Sequence, residues 1–264
     1  MAAIEPMNQF MIHKLFEGPR VPVPGIGTID LSVTNSVLYM LIAATIITVF
    51  FLTAARRAIV PGRMQALAET LYDLIDNGLT GAMIGDKGRA FLPFIFTLFS
   101  LIAVMNIVGL FPLQFTVTSQ LAVTVTLALM TFVSVVVIGF LRNGLGFFKL
   151  FVPSGVSFIM ACFLAPIEFI SFMVRPVTLS MRLFGNMIGG HVVMYMFASF
   201  VVGLGLFASH GGLASLGFLG SGLSLFMVVA LMALEFIVAF LQAFVFAALT
   251  CTYINDVVNL GHGH

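Results

Sequence analysis

A guanidinium, two carboxyls and an imidazole stand in stretches where hydrophobicity should have removed them. Arg182 lies within Thr178–Gly190, TLSMRLFGNMIGG, and an arginine near the centre of a membrane helix costs about 2.5–3.5 kcal/mol on insertion scales. Something must compensate that charge or use it. On an ideal helix Glu168, Arg175 and Arg182 are seven residues apart and share one stripe, drifting by only about 20° per step. Asn186 falls one turn beyond Arg182 on the same face. Further along, Glu235 and Gln242 are also seven apart, a second polar line in an apolar cylinder. His191, nine residues after Arg182, falls on roughly the opposite face; local bending at Gly185, Gly189 and Gly190 would be needed to re-aim it.

Arginine does not release its proton in proteins, so Arg182 is no proton shuttle. A permanent cation in a low-dielectric setting instead favours the ionised form of any carboxyl brought beside it. Glu168, Glu235 and His191 are the groups able to take up and release protons. The pattern therefore suggests an ion path with a fixed cation in its middle. The plainer alternative is a buried ion pair, such as Arg182 with Glu235, that only sets helix register. Gly185 and Gly189 form a GxxxG pattern, for which close helix packing is the favoured reading; a smooth face for another subunit is the second.

The elements that must hold these groups are set by composition. The 264 residues are 61% hydrophobic and 8% charged, with 29 Phe and a net charge of +1. Soluble domains average about 25% charged residues, so a water-facing globule is excluded, and the apolar content excludes disorder. The near-neutral balance gives no nucleic-acid footprint. Cys162 and Cys251 have no Cys or His partner at metal-binding spacing and read as inert small hydrophobes; neither a metal nor a cofactor is expected.

The fold class is an all-α polytopic membrane protein. Residues 1–30 form an N-terminal segment in which Glu5, Glu17 and prolines interrupt any signal-peptide core. Residues 31–55 make a first span, and 90–142 two spans joined near Pro112, a membrane hairpin. Residues 153–258 hold two apolar stretches, each far longer than a bilayer needs, separated by a Gly-rich stretch, Gly203–Gly222, that reads as a loop. Hydropathy alone leaves five or seven spans open. Residues 62–84 are amphipathic: Met64, Leu67, Ala68, Leu71, Leu74 and Ile75 line one face, Glu69, Asp73 and Asp76 the other. That pattern reads as a helix on the membrane surface, anchoring or docking a partner. Arg56, Arg57, Arg63, Lys87, Arg89, Arg142 and Lys149 all fall on one side if the spans alternate. That side is then cytoplasmic, and residues 1–30 lie outside.

RLFGNMIGGH (Arg182–His191), followed by LQAFVFAALTCTYI (Leu241–Ile254), resembles subunit a of the membrane sector of the F-type ATP synthase. The likeness extends to QFMIHKLF near the start, to Met105, Asn106 and Gly109–Pro112, and to RPVTLSMRLFGNM. The resemblance implies a non-catalytic stator subunit with two offset half-channels that deliver protons to and from a ring of c subunits. It implies that Arg182 is the essential arginine facing that ring, flanked by Asn186 and Gln242. Glu235 and His191 then belong to the outer half-channel, and Glu168 and Arg175 to the inner one. It also implies five passages with the last two helices long and tilted. The implied partners are the c-ring, peripheral-stalk b subunits, other synthase subunits and the lipid bilayer. A bacterial inner membrane is the expected location, with the mitochondrial inner membrane as the alternative.

A secondary ion-coupled transporter is the rival class; it predicts internal repeats with matching broken helices, and no convincing repeat is visible. An intramembrane enzyme would need an HExxH or GxSxG motif or paired aspartates, and Gly85-Asp86-Lys87-Gly88 lacks P-loop spacing. Proton or sodium coupling and ring stoichiometry are not legible in this chain.

Overall fold

The computed structural model describes residues 14–16, 20–23, 27–30, 32–55, 62–111, 115–152, 158–209 and 217–260. Arg56, Arg57, Pro112, His210 and most of the N-terminal segment lie outside them, as do the side chains of Asp86 and Lys87. Four short strands come first: β1 (Lys14–Phe16), β2 (Arg20–Val23), β3 (Gly27–Asp30) and β4 (Val33–Thr34). They form two antiparallel pairs, β1 with β4 and β2 with β3, which hydropathy did not anticipate. Everything else with regular structure is helical. In order follow α1 (Asn35–Ala54), α2 (Arg63–Ile75), α3 (Gly81–Met83), α4 (Leu92–Gly109), α5 (Leu121–Asn143), α6 (Phe158–Ala208) and α7 (Gly217–Val258).

Five of these are long and apolar enough to cross a membrane: α1, α4, α5 with its 3₁₀ extension to Phe151, α6 and α7. The choice between five and seven spans therefore falls on five. The 51 residues of α6 form one helix with Pro166 and Pro176 inside it. At 1.5 Å per residue its contour is roughly 75 Å, more than twice a hydrocarbon core. The Gly-rich stretch is a correction to the sequence reading, since α6 runs through Gly203 and Gly205, and Gly217, Gly220 and Gly222 are already in α7. Two of these glycines serve packing: a Cβ on Gly217 would come 2.8 Å from the Leu204 carbonyl oxygen, and one on Gly220 3.0 Å from Leu204 Cδ1. Ser221 Oγ donates to the Val201 carbonyl at 2.9 Å. Small residues let the two backbones approach where a larger side chain would hold them apart.

The chain packs as two compact units. One comprises Met1–Thr45, Val104–Gln120 and Phe184–Leu241; the other Ile46–Ala103, Leu121–Leu183 and Gln242–His264. In the second unit α5 buries a stripe of mostly small residues, Thr124, Ala128, Thr131, Val135 and Gly139, at helical spacing. At Gly139 a Cβ would lie 2.5 Å from Phe147 and 2.8 Å from Val257, so only glycine admits both neighbours. Phe147 in turn meets Phe140, Phe151 and Phe172 edge-on or tilted, with ring centroids 4.7–6.0 Å apart. Such pairs add about 0.5–1.5 kcal/mol each beyond burial. Asn143 Nδ2 donates to the Val257 carbonyl at 2.7 Å and ties the end of α5 to the end of α7.

The amphipathic helix occupies Arg63–Ile75 and continues through a π-helical turn at Asp76–Thr80. Ile75 is buried and Ala68, Leu71 and Leu74 half-buried, whereas Met64 and Leu67 are exposed. An apolar face left half uncovered by its own chain is what a surface-lying helix presents to lipid or to a neighbour.

Candidate functional site

In the first unit the polar groups gather deep among apolar side chains. Glu235, on α7, is 6% exposed, and among the described residues neither carboxylate oxygen has a hydrogen-bond partner. It fits there because α6 offers a bare backbone: a Cβ on Gly190 would collide with Glu235 Oε1 and lie 2.9 Å from its Cδ. His191, the next residue, is buried, and its Nε2 lies 3.0 Å from Thr116 Oγ1. Tyr195, one turn on, is within electrostatic reach of Glu235. Asn106 on α4 is fully buried and donates through Nδ2 to the Ala239 carbonyl at 3.1 Å, one turn beyond Glu235. Its Oδ1 and the hydroxyl of Thr118 are buried without hydrogen-bond partners among the described residues. Buried polar atoms left this way are uncommon in folded proteins and mark water-accessible or functional places.

In the second unit the charges around Arg175 are compensated. Arg175 on α6 bonds Asp256 Oδ2 on α7 through Nη1 at 2.8 Å, and its Nη2 stands 3.9 Å from Glu168 Oε1. The guanidinium also stacks over Tyr253, 4.8 Å from the ring centroid, and over Phe172 at 5.4 Å. Phe172 belongs to the phenylalanine cluster described above, so core packing fixes one wall of the arginine's seat. The sequence reading placed Glu168 and Arg175 on one stripe, and they meet; it missed Asp256 and Tyr253. The signal was available only faintly, as an acid in the final turns of a helix whose other charged residue is Glu235.

Arg182 and Asn186 lie on an exposed strip of α6 with Met181, Gly185 and Gly189. Among the described residues Arg182 has no hydrogen bond or ion pair. A Cβ on Gly185 or Gly189 would meet nothing within 4 Å. The favoured packing role for this GxxxG pair is therefore corrected: the glycines leave an open face beside the arginine. Gln242 on α7 is buried at 4% exposure. His191, expected opposite Arg182, is indeed on the buried side of α6 while Arg182 is on the exposed side.

Among the described residues five helices are long and apolar enough to cross a membrane, and α6 and α7 carry charged side chains within their length, which defines a helical multi-pass membrane protein. Residues 37–255 match the family model described as ATP synthase A chain. The chain is 47% identical over 260 residues to ATP synthase subunit a of Mesorhizobium japonicum, covering 98% of each protein. It is 45% identical to that of Rhodopseudomonas palustris and 44% identical to that of Nitrobacter hamburgensis, covering 98% of this chain and 100% of each relative. The chain belongs to the ATP synthase A chain family, and is a multi-pass membrane subunit that works with other ATP synthase subunits.

Proposed function

We propose that this chain is the proton-translocating stator subunit of an F-type ATP synthase in a bacterial inner membrane. The observation that carries the proposal is Arg182: a permanent cation on an open, glycine-flanked face of α6, with no counter-ion of its own chain among the described residues. A counter-charge must then come from another subunit, and a c-ring subunit with a mid-membrane carboxyl supplies it.

Protons enter from outside past His191 and Glu235 and neutralise a ring carboxylate. In neutral form that carboxyl crosses lipid cheaply, whereas the ionised form does not. After nearly a full turn it releases its proton into the inner half-channel, where Glu168 and Arg175 stand. Arg182, flanked by Asn186 and Gln242, holds the deprotonated ring site and bars a direct leak. One proton crossing 100 mV yields about 2.3 kcal/mol, so several are needed for each ATP. The ATP chemistry itself belongs to other subunits. Peripheral-stalk b subunits would brace this chain against the turning ring.

Replacing Arg182 by Ala or Gln in the intact complex in reconstituted vesicles tests the proposal. ATP-driven proton pumping should fall to background while this chain still co-purifies with the c-ring. Normal pumping in either variant would overturn it.

A further inference from the structure

The sequence reads as two spans joined by a short turn near Pro112, yet in the described part of that connection Phe115, Thr116, Val117, Thr118 and Ser119 are all buried. Connecting segments normally run over the surface, because buried ones carry backbone groups that need partners. This one finds them. Ser119 Oγ donates to the Thr116 carbonyl at 2.6 Å. Thr116 Oγ1 lies 3.2 Å from the carbonyl of Gly109, the last residue of α4, whose end carbonyls lack helical donors. The same hydroxyl lies 3.0 Å from His191 Nε2. Glycine at 109 makes the approach possible, since a Cβ there would come 2.7 Å from Thr116 Cγ2.

A threonine hydroxyl has one proton and a carbonyl can only accept. The Thr116 proton therefore goes to the Gly109 carbonyl, and the oxygen accepts from His191 Nε2–H. We infer that Thr116 is a positioning residue for the outer proton step: it holds His191 in the Nε2–H form and makes Nδ1 the nitrogen that gains and loses the proton. The inference rests on the reading of His191 as a group of the outer path. A proton arriving forms an N–H bond at Nδ1 and gives the imidazolium; its departure breaks that bond and restores the Nε2–H form. Thr116 is unchanged through the cycle, so each proton meets the same ring nitrogen. Tyr195 lies one turn further along the same helix, and Glu235 of α7 packs against Gly190, the residue before His191. The buried turn adds only the hydroxyls of Thr116, Thr118 and Ser119.

Proton-driven ATP synthesis by the reconstituted complex tests this with four variants. Thr116→Val keeps the shape and removes the hydroxyl; the rate should fall about fivefold, the scale of one neutral hydrogen bond. Thr116→Ser should recover to within about twofold of the parent, because the donor and acceptor return. His191→Ala should be impaired, and adding Thr116→Val to it should cause no further loss. Thr116→Val at the parent rate, with His191→Ala impaired, overturns this inference alone. So does a serine variant as poor as the valine one, or a double variant whose losses multiply. His191→Ala at full rate overturns the outer path itself and takes the inference with it. If Thr116→Val does not assemble, Thr116→Ala replaces it; failure of both to assemble assigns Thr116 to folding and overturns the inference.

Discussion

The two polar clusters handle charge in opposite ways. Around Arg175, each charged group has an opposite charge or an aromatic face, and the side chains are only partly buried, at 20% exposure for Arg175 and 30% for Asp256. Around Glu235 burial is nearly complete, the acid has no ion pair or hydrogen bond among the described residues, and its carboxyl packs against the backbone of Gly190. A bonded ion pair fixes charge and geometry together, which suits a rigid wall. A buried acid without a bonded partner has its protonation set by whatever reaches it, which suits a relay. The difference is that between a clamp and a conduit.

Glu235→Gln attacks the conduit directly and should have the largest effect. On the proposed function it removes a proton-transfer group, so proton-driven synthesis should fall by about a hundredfold, while co-purification with the complex is unchanged. An undiminished rate would leave the acid a passive buried group. Gly190→Ala comes next. The added methyl must displace the Glu235 carboxyl, and overpacking of this kind costs about 1–3 kcal/mol. The expected result is a lower midpoint of thermal unfolding in detergent together with slower synthesis. Gly185→Ala, three residues after Arg182, serves as the control: open space around it predicts no change in unfolding temperature, and a shift there would place that face in a contact within the chain.

The clamp should respond in stability before rate. Asp256→Asn breaks the short bond to Arg175, and for a partly exposed pair the loss should be about 1 kcal/mol, well below that of a fully buried one. Calorimetry of the purified complex or of proteolysis rates would register it. Smallest of all, Glu168→Gln should change stability by less than about 0.5 kcal/mol, because its 3.9 Å approach to Arg175 is long and its side chain is 39% exposed. A stability loss equal to that of Asp256→Asn would make the two acids equivalent partners of Arg175.

Much of this was legible before any coordinates. Uncharged runs of sufficient length read as spans, and the amphipathic pattern of residues 62–84 read as a helix, which Arg63–Ile75 forms. The seven-residue spacing of Glu168 and Arg175 put them on one stripe, and nine residues put His191 away from Arg182. These are local regularities, with periods set by helix geometry and bilayer thickness. The glycines misled for the same reason. Nothing local separates Gly185 and Gly189, which face open space, from Gly190, against which a carboxyl packs, or from Gly217 and Gly220, which seat a neighbouring helix.

Composition and periodicity by themselves determined that this is a helical membrane protein with a few costly charges on definable faces, because hydrophobic burial and backbone hydrogen bonding in lipid leave no other arrangement. Which of those charges would be compensated was decided only when distant segments met. Asp256 is 81 residues from Arg175, and Thr116 is 75 from His191. No periodic pattern reaches across such separations; packing brought those atoms within bonding distance.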